Sequence, residues 1–300
     1  MIEEFAAAKV NLTLHILGRR PDGYHELHSL VAFARDAGDR LRVQIGAPLS
    51  LETSGPEATT IEGANLVMVA ADQLLATNPN LAAGAIQLEK YLPVASGIGG
   101  GSADAAAAIR AIARANDIAD PAAAFGALAA TIGADIPVCI GDHGQPTAAI
   151  MSGIGEQIWR PTSTTLLPPE GLAAILVNPR VGVPTAAVFK ALAASPLKLV
   201  SNPTQEAMAA SQMRLSSLDD CLALISASRN DLEAPAIQFA PIIADVLCRL
   251  RQVPDCRIAR MSGSGATCFA LFDDMATANH AAAEIRAAQP NWWVCPTRLN

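Results

Sequence analysis

The most informative stretch of the sequence for chemistry is a run of glycines. Residues 92–103 read Leu-Pro-Val-Ala-Ser-Gly-Ile-Gly-Gly-Gly-Ser-Ala, with four glycines among the five residues from 97 to 101. Backbone N–H groups with no side chain in front of them, followed at once by a helix, favour the binding of a polyphosphate. No lysine stands between the glycines and Ser102, so the loop is not a Walker loop. A flexible loop without a ligand is the alternative interpretation.

A carboxylate occupies the second informative position. Asp135 lies in the stretch Gly-Ala-Asp-Ile-Pro that ends at Pro137. Proline disfavours the helical conformation of the residue before it, so we expect a bend at Asp135 and a short apolar strand over 137–140. On such a bend the carboxylate could act as a base or a metal ligand. A simple cap or turn residue is an equally good interpretation.

A second group of small residues, Ser-Gly-Ser-Gly, spans 262–265. It lies between two apolar stretches, 257–261 and 267–272, that we expect to be strands. Small residues between strands allow the backbone to approach an anion closely. Turns of this kind are also common without a ligand, so the motif alone is weak.

Two polar side chains share one face of an alternating stretch. Apolar and polar residues alternate over 9–16, which predicts a strand with one buried face and places Lys9 and Asn11 together on the opposite face. A solvated face is the alternative interpretation of these two residues.

The turn chemistry of residues 20–23 presents an aromatic and a polar side chain, Tyr24 and His25. His25 and His28 have a spacing found in metal sites. Without further ligands, however, such a pair is more often structural.

Helices must position the glycine run and the bend. Residues 103–115 have high helix propensity, and we expect Ser102 to be their N-cap and Asp104 to lie in the first turn. Asp120 and the proline after it predict the start of a further helix, which Gly133 can close. Helices and strands are mixed without strict alternation, which favours an α+β fold.

Composition excludes several classes of function. The 300 residues carry 21 Lys and Arg against 28 Asp and Glu, a net charge of −7, which argues against nucleic acid or an anionic membrane as partner. No apolar run approaches the ~18 residues of a membrane span. The acidic start and the six cysteines without a CxxC pattern favour a cytoplasmic protein with reduced, buried thiols. A proline-rich break over 160–171 predicts two domains, 1–163 and 164–300.

Taken together and in this order, the motifs resemble the superfamily of galactokinase, homoserine kinase, mevalonate kinase and phosphomevalonate kinase (GHMP). A narrower resemblance, to the family of kinases acting on cytidine diphosphate methylerythritol, covers nearly the whole chain. It departs from the family pattern at Ala95, Ser96 and Ala103, and segment 195–215 does not match clearly. The stretches that carry it are 8–15 with 18–27, 92–107, 133–137, 260–265 and, more weakly, 178–189.

The resemblance implies an α+β, two-lobe GHMP kinase fold. It has an N-terminal ribosomal-protein-S5-like α/β lobe, a C-terminal ferredoxin-like α/β lobe, and the active site in the cleft. The implied reaction transfers the γ-phosphoryl group of ATP to the 2-hydroxyl of 4-(cytidine 5′-diphospho)-2-C-methyl-D-erythritol, in the non-mevalonate isoprenoid pathway. The implied cofactors are ATP and Mg²⁺. The implied partners are small molecules only, with no nucleic acid and no membrane, for a monomer or a homodimer.

The resemblance also implies roles for individual residues. Asp135 is the expected base for the hydroxyl proton, Lys9 orients Asp135 and the transferring phosphoryl group, and Ser102 lies near Mg²⁺. Asn65 and Lys90 are the expected contacts with the adenine of ATP. The expected contacts with its phosphates are Pro93, Val94, Ala95, Ser96, Gly97, Ile98, Gly99, Gly100, Gly101, Ser102 and Ala103. The expected substrate contacts are Asn11, Tyr24, His25, Thr185, Phe189, Gly263, Ser264 and Gly265.

Two other functions remain open at this point. One is phosphorylation of a different small alcohol by a sibling kinase of the superfamily. The other is a nucleotide-binding protein that keeps the fold without the chemistry. The presence of both Lys9 and Asp135 argues against the second function.

Overall fold

The computed structural model describes residues 1–58, 64–161, 166–194 and 217–300. The chain divides into two compact units that interleave along the sequence. Unit 1 comprises Met1–Lys9, Ala37–Val94 and Gly99–Thr147, and unit 2 comprises Val10–Asp36, Ala95–Ile98 and Ala148–Asn300. The expected domain boundary between residues 163 and 164 falls outside the described residues and stays a prediction. Segment 195–215, which does not match the family pattern clearly, also lies outside the described residues.

Two long strands contribute residues to both units. They are β1 (Ile2–Asn11) and β3 (His25–Ile45), which pair with each other. In unit 1, β5 (Gly84–Glu89) pairs antiparallel with the second half of β3, from Arg40 to Ile45. On its other side β5 lies parallel to β4 (Ser50–Ser54).

Four helices complete unit 1: α1 (Leu66–Thr77), α2 (Gly100–Ala115), α3 (Pro121–Ile132) and α4 (Ile136–Ile140). The central helix α2 contacts all three others, and every residue from Ala103 to Ala113 is buried. Alanine fills most of this stretch because a small side chain allows a helix to be enclosed closely on all sides.

The start of α2 differs from the sequence-based expectation. The N-cap is Gly99, with φ 65° and ψ 22°, and Ser102 lies inside the first turn. The expectation that Ser102 caps the helix is therefore wrong. Asp104 also lies beyond the first turn, which holds no acidic residue, so that expectation is wrong as well. Glycine adopts this left-handed conformation without the penalty that a Cβ carries, so the backbone can turn into the helix earlier.

Residues 137–140 form helix α4 and not the expected strand. Pro137 occupies the second position of the helix, where its missing N–H has no acceptor within the helix in any case. The expected start of α3 is confirmed, because Asp120 accepts a hydrogen bond from the Ala123 N–H at 3.0 Å. Gly133 is the C-cap of α3, with an extended backbone.

Unit 2 contains two groups of paired strands. In the first, β2 (His15–Arg19) and β6 (Ala149–Gly153) pair antiparallel with the first half of β3, and β7 (Gln157–Trp159) pairs with β6. In the second, β8 (Leu172–Asn178) lies between β11 (Trp293–Leu299) and β10 (Cys268–Phe272), and β9 (Ile258–Met261) pairs with β10, all antiparallel. The strands expected on either side of 262–265 are confirmed.

The described helices of unit 2 are α5 (Thr185–Ala194), α6 (Leu218–Ala227), α7 (Glu233–Phe239), α8 (Ile242–Gln252) and α9 (Met275–Ala288). The buried faces of α5, α7, α8 and α9 form one apolar core with the β8–β11 strands, in which Ile175, Ile243 and Phe272 are fully enclosed. Within the described residues, no helix has the length and apolar character needed to cross a membrane.

Two further expectations need correction. The alternating stretch 9–16 is not one strand, because β1 ends at Asn11 and β2 begins at His15. Its polar face is not solvated, since Lys9 and Asn11 are each only 4% exposed.

The six cysteines were expected to be buried. Cys139, Cys221 and Cys268 are buried, Cys256 and Cys295 are half-buried, and Cys248 is exposed, so burial is confirmed for three of the six.

Candidate active site

A buried lysine and an aspartate form an ion pair in unit 1. The Nζ atom of Lys9, on β1, lies 3.1 Å from Oδ2 of Asp135. Asp135 is the N-cap residue of α4, yet its side chain makes no capping hydrogen bond. The carboxylate is therefore directed at Lys9 instead of its own helix, and its side chain stays 38% exposed. An exposed oxygen held by a buried cation is suited to accept a proton from a bound hydroxyl group.

The start of α2 lies against the same lysine. A Cβ atom at Gly99 would stand 3.3 Å from Cβ and Cε of Lys9. Tight packing and positive φ both require glycine at this position. The Ala103 N–H donates to the Gly99 carbonyl, so the N–H groups of residues 100–102 precede the first hydrogen bond of the helix. Such N–H groups at the positive end of a helix have the chemistry to bind an anion beside Lys9.

The next two glycines are not explained by packing. A Cβ atom at Gly100 would have its nearest neighbours at 3.7 Å, and one at Gly101 would meet only Leu66 at 3.6 Å. These are ordinary van der Waals distances. The protein itself would tolerate a side chain at both positions, whereas a phosphate approaching the N–H groups would not.

Lys90 lies at the centre of a buried ionic cluster. Its Nζ donates hydrogen bonds to Oδ2 of Asp39 and, at 2.5 Å, to Oδ2 of Asp104. All three residues are nearly inaccessible to solvent. Burial lowers the pKa of Lys90, but the charges of Asp104 and Asp39 outweigh it and the pKa is raised. Burial raises the pKa of Asp104 to about 8, against the opposing effect of Lys90.

The sequence did not predict this cluster. The expected role of Lys90 was a contact with adenine, which stays a prediction, whereas Asp39 was not singled out and Asp104 was assigned only to the first turn of α2. A signal was present at Asp104. A single carboxylate within a long run of alanines must be enclosed with them, and an enclosed carboxylate needs a partner.

Asn65 is the N-cap of α1. Its Oδ1 accepts a hydrogen bond from the Val67 N–H at 2.9 Å. Residues 59–63, directly before it, lie outside the described residues, and the expected contact of Asn65 with adenine stays a prediction.

In unit 2, the middle of the glycine loop packs against the 262–265 turn. A Cβ atom at Gly97 would lie 2.6 Å from the Gly265 nitrogen, and one at Gly263 would lie 2.5 Å from the Gly97 oxygen. The Ser262 hydroxyl donates to the Gly97 carbonyl at 3.1 Å and accepts from the Asn11 N–H at 3.0 Å. Close approach of two backbones, without any ligand, therefore explains Gly97 and Gly263.

Most of the larger side chains of the loop are buried or half-buried. Pro93, Ser96, Ile98 and Ala103 are buried, whereas Val94 is half-buried and Ala95 is exposed. Within unit 2, the Ser96 carbonyl accepts a hydrogen bond from the Thr267 N–H at 3.0 Å. A ligand of this loop would meet backbone groups, as a phosphate cradle requires.

Unit 2 also brings together several of the expected substrate contacts. The ring centroids of His25 and Phe189 lie 5.2 Å apart. Nε2 of His25 is buried and has no hydrogen-bond partner among the described residues. Burial, followed by the charge of Arg19, lowers the pKa of His25, so the ring is neutral at pH 7. Tyr24 is 61% exposed on the neighbouring turn, where Asp22 accepts a hydrogen bond from its N–H.

The remaining expected substrate contacts lie in the same unit. The hydroxyl groups of Thr185 and Ser264 are 2.8 Å apart. Asn11 donates from Nδ2 to the Ser29 hydroxyl at 2.8 Å. Among the described residues, no group of three or more His, Cys, Asp or Glu side chains is arranged to hold a metal ion.

Comparison with known proteins places this geometry in a family. The model of the GHMP kinase N-terminal domain matches residues 65–144, and that of the GHMP kinase C-terminal domain matches 206–291. The chain is 51% identical to the 4-diphosphocytidyl-2-C-methyl-D-erythritol kinase of Methylobacterium radiotolerans, over 100% of this chain and 99% of that protein. It is 47% identical to the kinase of the same name from Cereibacter sphaeroides, again over 100% and 99%.

Solved structures agree. A crystal structure of 4-(cytidine 5′-diphospho)-2C-methyl-D-erythritol kinase matches with a TM-score of 0.73 and 31% identity, over 100% of this chain and 99% of that one. Homoserine kinase from Cytophaga hutchinsonii shares the fold, with a TM-score of 0.69 at 18% identity, over 100% and 95%. The expected α+β GHMP kinase fold is confirmed, and the chain belongs to the 4-diphosphocytidyl-2-C-methyl-D-erythritol kinase family of GHMP kinases.

Proposed function

We propose that this protein transfers the γ-phosphoryl group of ATP to the 2-hydroxyl of 4-(cytidine 5′-diphospho)-2-C-methyl-D-erythritol, a step of the non-mevalonate isoprenoid pathway. The observation that carries the proposal is the Lys9–Asp135 pair beside the start of α2, in a chain of this family. A carboxylate, an ammonium group and a set of open N–H groups are the parts that phosphoryl transfer requires.

In the proposed mechanism, Asp135 accepts the proton of the 2-hydroxyl as its oxygen attacks the γ-phosphorus. The bond from the γ-phosphorus to the β–γ bridging oxygen breaks, and ADP leaves with that electron pair. Lys9 holds the Asp135 carboxylate in place through the 3.1 Å ion pair and adds positive charge near the phosphoryl group. Such reactions need positioning and charge stabilisation and little covalent chemistry from the protein.

The N–H groups of residues 100–102 are the proposed contacts of the triphosphate. Ser102 is the proposed protein ligand for Mg²⁺, because a hydroxyl oxygen in the first turn of α2 lies among those N–H groups. This donor suits Mg²⁺, which takes oxygen ligands and is held largely by substrate phosphates and water. When bound, the ion neutralises negative charge on the phosphates.

Tyr24, His25 and Phe189 are the proposed contacts of the cytosine base. Nε2 of His25 is buried and has no hydrogen-bond partner in the part of the chain that the structure describes, which supports a hydrogen bond to a polar edge of the base. Tyr24 and Phe189 are proposed to stack on the faces of the base. Thr185 and Ser264, whose hydroxyl groups meet, are proposed to contact the same substrate.

An assay of ADP release against a panel of alcohols tests the proposal. We expect rapid ADP release with the cytidine diphosphate methylerythritol substrate and a product phosphorylated at its 2-hydroxyl. Faster turnover of homoserine, mevalonate or another alcohol would assign the chain to a sibling activity. ATP binding without turnover of any alcohol would indicate a non-catalytic nucleotide-binding protein.

A further inference from the structure

The buried cluster of Asp39, Lys90 and Asp104 joins three elements of unit 1. Asp39 belongs to β3, Lys90 follows β5 directly, and Asp104 belongs to α2. The Lys90 ammonium group is hydrogen-bonded to both carboxylates at once. The cluster therefore links β3, the end of β5 and α2 through one ammonium group.

The cluster also holds the entry to the glycine loop. Oδ1 of Asp39 accepts hydrogen bonds from the Tyr91 N–H at 2.6 Å and from the Leu92 N–H at 2.9 Å. These are the residues through which the chain leaves β5 and enters the loop. One carboxylate thus binds Lys90 through one oxygen and the first loop residues through the other.

The cluster lies close to the start of α2, where the chain leaves the glycine loop. Asp104 is four residues beyond Gly100, so the two share one face of α2. A Cβ atom at Gly100 would stand 3.7 Å from Nζ of Lys90. The ionic contacts are therefore one helical turn from the N–H groups proposed to bind phosphate.

Fold stability is a weak explanation for such a cluster. Removing three ionisable groups from water is costly, and apolar side chains of similar volume often stabilise a protein as well or better. The hydrogen-bonded ionic contacts are directional and fix one geometry, which apolar packing does not do.

We propose that Asp39, Lys90 and Asp104 are positioning residues that hold both ends of the glycine loop, so that the N–H groups of residues 100–102 are preorganised for the triphosphate of ATP. The inference rests on the proposed function of that loop. A preorganised donor needs no reorganisation when the ligand binds, so loosening the cluster weakens binding of the phosphates more than binding of the base.

Asp104→Ala removes the helix end of the cluster, and Asp104→Asn keeps its shape and an oxygen that can accept from Lys90. The control is Ile109→Ala, which removes a buried side chain of the same helix away from the loop. For each variant we would measure the melting temperature, the KM of both substrates, and calorimetric binding of adenylyl imidodiphosphate with Mg²⁺ and of adenosine.

We expect Asp104→Ala to weaken binding of the ATP analogue at least tenfold, with adenosine binding and the KM of the alcohol substrate changed less than threefold. Asp104→Asn should stay within threefold of wild type throughout, and Ile109→Ala should lower only the melting temperature. Analogue binding by Asp104→Ala equal to that of Ile109→Ala would overturn the proposal, and so would equal losses in Asp104→Asn and Asp104→Ala.

If Asp104→Ala is insoluble, Asp104→Ser replaces it, with the same expectations. Failure of both to fold, while Ile109→Ala folds, would show that Asp104 supports the whole unit and would also overturn the proposal. Because binding of the analogue requires no alcohol, the result is independent of the substrate. A wild-type protein that binds the analogue but phosphorylates no alcohol contradicts only the proposed function.

Discussion

Asp135 offers the most direct test of the chemistry, because its carboxylate faces Lys9 and caps no helix. Asparagine has nearly the same shape but cannot accept the hydroxyl proton. General-base catalysis contributes typically 10²–10⁴-fold to a rate. We therefore expect Asp135→Asn to lower kcat by about that factor, with the KM of ATP and the melting temperature close to those of wild type.

The matched control is Asp120→Asn, at the start of α3. Asp120 does cap its helix, and asparagine is an equally good cap, so kcat should not change. A folded Asp135→Asn protein that keeps more than about a tenth of the wild-type kcat would remove Asp135 from the mechanism, since a general base is worth far more.

Tyr24 tests the assignment of the cytosine contacts. Stacking of a base on an aromatic ring is worth ~1–3 kcal/mol in single-strand binders. Tyr24→Ala should raise the KM of the alcohol substrate at least several-fold and leave the KM of ATP nearly unchanged. Because the ring is largely exposed, the melting temperature should not fall. Trp159→Ala, at another exposed aromatic ring, should alter neither KM, and equal weakening of both substrates by Tyr24→Ala would contradict the assignment.

At the scale of single residues, the sequence indicated candidate functional residues better than it indicated the surroundings and contacts of their side chains. Lys9 and Asp135 were both named, but alternation alone left Lys9 on a face that solvent could cover. The resemblance implied that Lys9 orients Asp135, but the burial of Lys9 depends on the segments around it, which are distant in sequence. The pairing of Lys90 with Asp39 and Asp104 was missed for the same reason.

At the scale of elements, two glycines of one loop have separable roles. Gly100→Val should abolish binding of ATP in a calorimetric titration, because its side chain would stand in front of the N–H groups proposed to bind phosphate, whereas packing leaves room for its Cβ atom. Gly97→Ala should instead lower the melting temperature, because φ is +75° and the Cβ atom would clash with two backbone atoms at 2.6 Å.

Gly126→Val is the control for these changes. It lies in α3 with nothing within 4 Å of its Cβ position, so ATP binding should be unaffected. Wild-type affinity for ATP in Gly100→Val would show that the start of α2 is not the phosphate site.

The elements themselves were predicted where local signals are strong. The Asp-Pro start of α3 and the two strands around 262–265 were expected and found. Helix α4 was missed because proline was interpreted as a helix breaker, although the first positions of a helix tolerate it. The early start of α2 depends on a backbone conformation that glycine permits but does not require, so propensity alone could not place it.

At the scale of the whole molecule, His28 predicts a dependence of stability on pH. Burial, followed by the charge of His15, lowers the pKa of His28 from 6.5 to about 4. Between these two values the unfolded chain binds a proton that the folded protein excludes, so the free energy of unfolding falls as the pH falls from about 6.5 to 4. Urea unfolding at pH 7, 6, 5 and 4 measures this.

His28→Gln removes the titrating group, and carboxylates that titrate in both proteins cancel in the comparison. The wild-type free energy of unfolding should therefore decline more steeply with acidification than that of the variant. Parallel curves for the two proteins would show that His28 takes up no proton on unfolding in this range.

The interleaving of the two units has a consequence for the order in which the chain can fold. Residues 27–31 of β3 find their partners in β6 only at 149–153, and β8 finds β11 only at 293–299. During synthesis on the ribosome, one edge of β3 and both edges of β8 therefore stay unpaired until much later residues emerge. Unpaired edges invite pairing between chains. A fragment that ends at residue 147 would contain all of unit 1 together with strand edges that lack their partners. Expressing this enzyme as two separate halves would therefore favour aggregation over two folded pieces.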